Sequence, residues 1–314
     1  EFKALLDQRR YDEALSSAEH FASVAPQSTR AWLAVSLAQR GLGHLPEALQ
    51  AADKAVSLDA TLAAPWQMQG VILVKLQRFA EAAQALRQAL ERAPSEGSGW
   101  AMLSSALQHQ FLNDEALAAY DQAWQQHYQT AEVLYGQIST LSALGRYAEA
   151  LSRAEEYVLR FPTDVSAWQL HAGVLHALPR YEEALADFAQ ARQLEAPTPE
   201  VLEAEITAYC ALHRFAEALP LSEEYVRLAP DDVIAWGSHA AVLEGLRRRE
   251  ESIAAYDRAL ALQPDLLWAL ERRASALWWS GHRREALRTL LHFGAVSATT
   301  RRAERVRRAQ QRIR

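Results

Sequence analysis

Apolar residues along this chain recur at helical intervals, in pairs of short segments separated by polar turns. The stretch AAPWQMQGVILVKLQRFAEAAQALRQALERAPSE, residues 63–96, shows the pattern most clearly. Trp66, Gly70 and Leu73 fall on one side of a first predicted helix, and Phe79, Ala82, Leu86 and Ala89 line a second, which Pro94 closes. Neither helix can bury such a face alone, so the pair needs neighbours. Sliding the stretch by 34 residues in either direction places tryptophan on Trp32 and Trp100 and alanine on Ala48 and Ala116. The repeat is therefore the architecture.

With Trp66 numbered as position 4, position 20 is small throughout: Ala14, Ala48, Ala82, Ala116, Ala150, Ala184, Ala218, Ser252 and Ala286. Position 4 reads Trp32, Trp66, Trp100, Leu134, Trp168, Leu202, Trp236 and Leu270, and position 32 is proline at Pro26, Pro94, Pro162, Pro230 and Pro264. Small residues at position 20 let paired helices approach closely, and large ones at positions 4 and 24 fill the space around them. A second pattern overlies the first. Trp100, Trp168 and Trp236 go with a large position 24 (Tyr120, Phe188, Tyr256) and a small position 27, whereas Leu134 and Leu202 go with Ala154 and Ser222 at 24 and Tyr157 and Tyr225 at 27. This reads as volume compensation in a close-packed core, with the tryptophans expected to be buried at equivalent sites.

The length, the phase and the W…LG…Y…A…F…P pattern resemble the tetratricopeptide repeat (TPR) family. The resemblance covers residues 1–293 and implies an all-α, right-handed superhelix of about nine helix-turn-helix repeats: 1–28 (partial), 29–62, 63–96, 97–130, 131–164, 165–198, 199–232, 233–266 and 267–293. Residues 294–314 follow as a basic capping helix or tail. Asp164, Asp232 and Asp265 are candidate helix caps, and Thr198 precedes Pro199 at an allowed first-turn site. Gly43, Gly145, Gly281 and Pro179 fall between the two helices of their repeats, and Pro220 falls inside a second helix, where a bend or a missing hydrogen bond is expected.

Composition adds exclusions. Glycine numbers 12 and proline 11 in 314 residues, half of them hydrophobic, and no window shows strand-like alternation. No apolar run is long enough to span a bilayer. The single Cys210 rules out an internal disulfide and suits a cytoplasmic location. The chain starts on Glu1, and residues 1–9 read as the latter part of a first helix, so an upstream, fused domain is expected.

No catalytic constellation emerges, and no cofactor or metal is called for. Gly41-Leu42-Gly43 lacks the third glycine of a dinucleotide loop, and no Gly-Lys-Ser/Thr phosphate loop occurs. Position 7 departs from the family's leucine: Gln69, Gln137, His171, Glu205, His239 and Arg273. His171, Glu205 and His239 form a row across three repeats with metal-ligand chemistry, but helices about 8–10 Å apart favour a polar ladder.

By resemblance, the concave groove is lined by positions 2, 5, 9, 12 and 13 of first helices. In this sequence that selects Leu33, Leu37, Gln67, Val71, Gln108, Tyr135, Gln169, His176, Glu203, Thr207, Glu244, Glu271 and Trp278. The Lys/Asn carboxylate clamp of chaperone-binding relatives is replaced by Leu33/Leu37 and Gln67/Val71, and the asparagine ladder of sugar-transferring relatives is missing. The wall is apolar toward the N-terminus and acidic toward the C-terminus, which implies a protein or peptide ligand. Residues 301–314 hold seven arginines and one glutamate against a net charge of −6 for the chain, leaving −12 on residues 1–300. Ala303, Val306, Ala309 and Ile313 recur at helical steps, as a capping helix over the last repeat would require, and no aromatic residues stand beside the arginines as single-stranded nucleic-acid binding would need. The expected role is a non-enzymatic recognition or regulatory arm of a larger protein; the alternatives are a free-standing assembly scaffold or the substrate-presenting half of a glycosyl- or sulfotransferase.

Overall fold

The structure, a computed structural model, describes residues 2–313, apart from the side chains of Lys3 and of residues 299–313. Eighteen helices and no strand occur among these residues, and they form successive antiparallel hairpins. The chain divides into two compact units, Glu1–Phe161 and Pro162–Arg314.

The first unit holds α1 (Phe2–Asp7), α2 (Tyr11–Val24), α3 (Thr29–Leu42), α4 (Leu45–Leu58), α5 (Ala63–Lys75), α6 (Phe79–Arg92), α7 (Gly97–Gln108), α8 (Asn113–Gln125), α9 (Ala131–Ala143) and α10 (Tyr147–Arg160). The second holds α11 (Val165–Ala177), α12 (Tyr181–Leu194), α13 (Pro199–Ala211), α14 (Phe215–Leu228), α15 (Val233–Gly245), α16 (Arg249–Leu262), α17 (Leu267–Trp279) and α18 (Arg283–Ile313). The boundaries follow the repeat phase. Helix α14 passes through Pro220 without interruption, so the carbonyl of Ala216 loses the amide donor that any other residue at 220 would supply. Helix α18 runs unbroken through residues 294–313, extending the last hairpin's own second helix. The expected packing of Ala303, Val306, Ala309 and Ile313 lies outside the described side chains.

Packing follows the repeat positions. Every position-20 residue, from Ala14 to Ala286, is fully buried where the two helices of a hairpin cross. Tyr120, Phe188 and Tyr256 at position 24, and Tyr157 and Tyr225 at position 27, are all buried, so the two kinds of repeat fill one space from different positions. Close approach also fixes Gly136, where a Cβ would stand 2.1 Å from the Tyr120 ring.

The tryptophans differ from the expectation. Trp66, Trp100, Trp168 and Trp236 are equivalent but only half-buried. Each indole Nε1 donates to the carbonyl six residues before it: Trp32 to Pro26 (2.9 Å), Trp66 to Ala60 (3.0 Å), Trp100 to Pro94 (2.8 Å), Trp168 to Pro162 (2.9 Å) and Trp236 to Pro230 (2.8 Å). An indole N–H needs a polar partner, and here it pins the preceding inter-repeat turn at the helix surface. Full burial at position 4 belongs to Leu134 and Leu202.

Turn chemistry repeats as well. Position 15 is left-handed at Gly43 (φ 82°), Gly145 (φ 71°) and Gly281 (φ 88°), and also at Gln77 (φ 59°), Phe111 (φ 60°), His213 (φ 57°) and Arg247 (φ 60°), where a Cβ must be tolerated. One residue later an arginine pairs with the glutamate three positions on, as in Arg78–Glu81 (2.6 Å), Arg146–Glu149 (2.6 Å) and Arg248–Glu251 (2.6 Å). These exposed pairs set a carboxylate in the first turn of each second helix, where the helix dipole favours it. Asp164 and Asp232 cap as expected, accepting from Ser166 N (3.0 Å) and Ile234 N (2.8 Å). Thr198 makes no side-chain cap bond, and Asp265 is not a cap: Leu266 occupies that position, and Asp265 lies 3.0 Å from His292.

Candidate functional site

The predicted groove residues all stand on first helices. In the first unit, Leu33 and Leu37 of α3 come together with Phe2, Ala18, Phe21 and Ala34 around a cleft of about 420 Å³ that carries Arg30 at its edge. Gln67 and Val71 of α5 are half-buried, and Gln67 Nε2 lies 3.5 Å from Ser98 Oγ of α7. Gln108 is committed internally: its Oε1 accepts from the Tyr120 hydroxyl (3.1 Å), whose pKa burial pushes up to about 12. Tyr135 is 47% exposed and free of the core.

In the second unit the wall has another chemistry. Gln169 and His176 of α11 are half-buried, with the His176 ring edge-on to Tyr181 at 5.3 Å and its pKa lowered by burial. Glu203 and Thr207 of α13 and Glu271 of α17 are exposed, with the Thr207 hydroxyl donating to the Glu203 carbonyl (2.8 Å). Glu244 of α15 is held 3.4 Å from Arg272, and burial raises its carboxyl pKa. Trp278 of α17 is 46% exposed beneath the Arg283 guanidinium, 5.7 Å from the ring centre. The second unit thus presents carboxylates and an indole, and the first presents aliphatic side chains and a phenol.

The position-7 row is a ladder between helices. Gln69 donates to Asp53 (2.8 Å) and Gln137 to Asp121 (2.7 Å), while Arg273 donates to Asp257 (2.5 Å); each partner stands at position 25 of the preceding repeat. His171 Nδ1 lies 2.7 Å from Asp187. Glu205 pairs with Arg192, which also reaches Glu224 at 3.3 Å. The Ser222 hydroxyl gives its proton to the Leu219 carbonyl (2.8 Å) and so accepts from His239 Nδ1 (2.9 Å). His171, Glu205 and His239 therefore turn to three separate partners and do not converge, and among the described residues no group of histidine, cysteine and carboxylate side chains is arranged to hold a metal ion. The Cys210 thiol is half-buried and its pKa raised by burial, opposite to an activated nucleophile.

Two devices escaped sequence reasoning although their signals were present. The indole-to-carbonyl bond recurs wherever position 4 is tryptophan, and the Arg-x-x-Glu step opens most second helices, as in Arg10–Glu13, Arg180–Glu183 and Arg214–Glu217.

Comparison with known proteins agrees with this geometry. A family model described as Tetratricopeptide repeat matches residues 1–63, 68–132, 135–198 and 204–266. No curated protein matches the chain. Among solved structures, YrrB, described as a TPR protein with an unusual peptide-binding site, is 18% identical over 60% of this chain and 98% of its own, with a TM-score of 0.54. PilF of Pseudomonas aeruginosa is 17% identical over 68% of this chain and 96% of its own (TM-score 0.58). A chain of the APC/C hetero-tetramer Cut9–Hcn1 is 16% identical over 85% of this chain and 52% of its own (TM-score 0.58). At these identities the likeness is one of fold. No helix among the described residues is long and apolar enough to cross a membrane.

Proposed function

The chain belongs to the tetratricopeptide repeat family, whose members generally mediate protein–protein interactions on a non-catalytic scaffold, and from that premise we propose that it is the non-enzymatic recognition or regulatory arm of a larger cytoplasmic protein, binding a peptide or protein through its first helices. The observation that carries this reading is the set of side chains those helices leave uncommitted to the core. In the second unit Glu203, Thr207, Glu271 and Trp278, and separately in the first Tyr135, are exposed on first helices that also carry buried core residues. Aromatic and carboxylate groups held on a rigid helical wall suit a ligand that brings basic and apolar side chains, with the charges acting chiefly on association rate and specificity. A peptide ligand also accords with the description of YrrB. The first unit's wall, with Leu33 and Leu37 in their cleft, would by itself suit an apolar segment.

The test is the double variant Glu203→Lys, Glu271→Lys, measured against a partner captured by the wild-type protein. Loss of binding at low salt with an unchanged circular dichroism spectrum is expected. Equal binding by the double variant would show that the acidic wall is merely solvated.

A further inference from the structure

The last hairpin has the wrong polarity for a surface left in water. Position 24 is buried in every earlier repeat, as at Tyr120, which packs against Val133 of the following hairpin, yet in the last repeat it is Leu290 and exposed. Position 21, buried or half-buried before, is the exposed Leu287. Position 25 is charged in seven of the eight earlier repeats, as at Asp53, Asp121 and Asp257, and here it is Leu291, 75% exposed. The closing repeat of a solenoid ordinarily turns a polar face outward. Three outward leucines on one helix therefore mark a surface that something covers. Helix α18 is unbroken from Arg283 to Ile313, so the residues beyond Ala298 run on from the leucines instead of folding back over them.

The charge of this helix sets it apart from the rest of the chain. Between Arg283 and Arg314 ten arginines meet two glutamates, a net charge of +8, so the chain's −6 leaves −14 on residues 1–282. From Leu287 and Leu291, the alternating steps of three and four residues that follow one stripe of a helix lead to Arg301, Arg305, Arg308 and Arg312. Glu285 and Glu304 fall off that stripe. The arginines nearest the leucines are also uncommitted. Arg284 and Arg288 are exposed and enter none of the ion pairs among the described residues, whereas Arg78, Arg146 and Arg248 are each closed by a glutamate three positions on.

The combination selects the occupant. A second copy would bring one +8 helix against another. A nucleic acid would engage the arginines and leave the leucines in water, and a stripe along one convex helix has no concave wall in which to order a peptide. An anionic lipid surface uses both halves, because leucines enter the boundary between headgroups and acyl chains while arginines reach the phosphates on their apolar stems. We propose that α18 is an interfacial helix that docks the protein onto an anionic phospholipid membrane, with Leu287, Leu290 and Leu291 inserted and the arginine stripe on the headgroups. The helix lies on the membrane and does not cross it, since no helix among the described residues is long and apolar enough to span a bilayer. The net charge of −14 on residues 1–282 keeps the remainder of the chain away from the same surface. This site is independent of the first-helix wall and stands if that reading fails.

The test is co-sedimentation of the full chain with vesicles of phosphatidylcholine containing about 30% phosphatidylserine, at about 0.15 M salt. The protein should sediment with these and stay in solution with pure phosphatidylcholine vesicles. The double variant Leu287→Ser, Leu291→Ser, altered only at exposed positions, should lose at least about tenfold in affinity. Replacing Arg301, Arg305, Arg308 and Arg312 by Gln should lose at least about a hundredfold. Leu159→Ser, at an equally exposed leucine of α10, should change nothing. Circular dichroism checks the fold, and Leu291→Ala serves as the milder leucine variant if the double one melts. The proposal is overturned if anionic vesicles fail to bind, if neutral vesicles bind as well, or if the arginine variant keeps wild-type affinity. It is overturned too if the leucine variants keep wild-type affinity, because the arginines would then be adsorbing to any polyanion, nucleic acid included.

Discussion

The two compact units are built from the same hairpin, yet their seams between successive second helices are chemically different. In the first unit position 7 makes two amide–carboxylate rungs, Gln69–Asp53 and Gln137–Asp121, and between them, where position 7 is Leu103, the second helices are joined by the exposed Arg87–Glu115 pair instead. In the second unit position 7 is ionisable in every repeat: His171 lies beside Asp187 within its own hairpin, Glu205 pairs with Arg192, which also reaches Glu224, His239 meets Ser222, and Arg273 pairs with Asp257. Position 20 and the paired volumes at 24 and 27 hold the helices together in both, so position 7 is free to vary. A repeat fold thus separates what makes it stable from what makes its parts distinct.

The largest effects should come from the shared core and be alike in the two units. Leu134→Ala in the first and Leu202→Ala in the second each empty a fully buried site and should cost about 2–5 kcal/mol in chemical denaturation. A difference between them beyond that range would mean that the cores are not equivalent. The corresponding tryptophans, half-buried, should give up less per atom removed, because part of the indole already faces water.

Next come the seams, where the units should diverge. Arg192→Met leaves Glu205 buried beside Glu224 without its counter-charge and should cost about 2–3 kcal/mol, toward the low end for a broken buried pair because Arg192 is itself a third exposed. Gln137→Leu in the first unit removes only a neutral donor and should cost about 1–2 kcal/mol. Equal losses would erase the distinction drawn between the seams.

Acidification should also separate them. Burial lowers the pKa of both His176 and His239 in the second unit below the ordinary 6.5. The unfolded chain then binds more protons than the folded one as pH falls through that range, so the histidine contribution to stability is present at neutral pH and is lost on acidification. Glu205 and Glu244, raised by burial, act in the opposite sense above the ordinary 4.5. The histidine part is therefore read as the difference between the wild type and the double variant His176→Gln, His239→Gln. Urea midpoints of the wild type should fall more between pH 7.5 and 5.5 than those of the double variant, and identical profiles would remove the histidines from the account.

The smallest effect has the opposite sign. Phe111 is 86% exposed and held at φ 60°, so Phe111→Gly relieves a left-handed Cβ without emptying any core and should stabilise the first unit by about 0.5–1 kcal/mol. The same change at Gly145 has already been made by the sequence.

Most of the fold was legible because the repeat reports it many times over. One alanine says little, but a small residue at position 20 in every repeat fixes the phase, and with it the hairpin boundaries and the buried crossing points. The groove residues were legible in place but not in role. Leu33 and Leu37 do share a cleft, whereas Gln108 is consumed by Tyr120 and Glu244 by Arg272. Those partners lie 12 and 28 residues away, and periodicity on one helix does not say which neighbouring side chain reaches it.

What the sequence determined by itself was what depends on spacing along one chain: about nine helical hairpins in phase, the alanine crossings, the turns at Gly43, Gly145 and Gly281, and the compensating volumes at positions 24 and 27. Only the tertiary structure decided what depends on distance between helices. It turned the tryptophans outward onto backbone carbonyls, dispersed His171, Glu205 and His239 to separate partners, and joined Arg87 to Glu115 where position 7 is Leu103. The physical reason is that burial and periodicity are local and redundant, whereas a hydrogen bond or a void is settled within about an ångström, by which side chain of a neighbouring helix arrives there first.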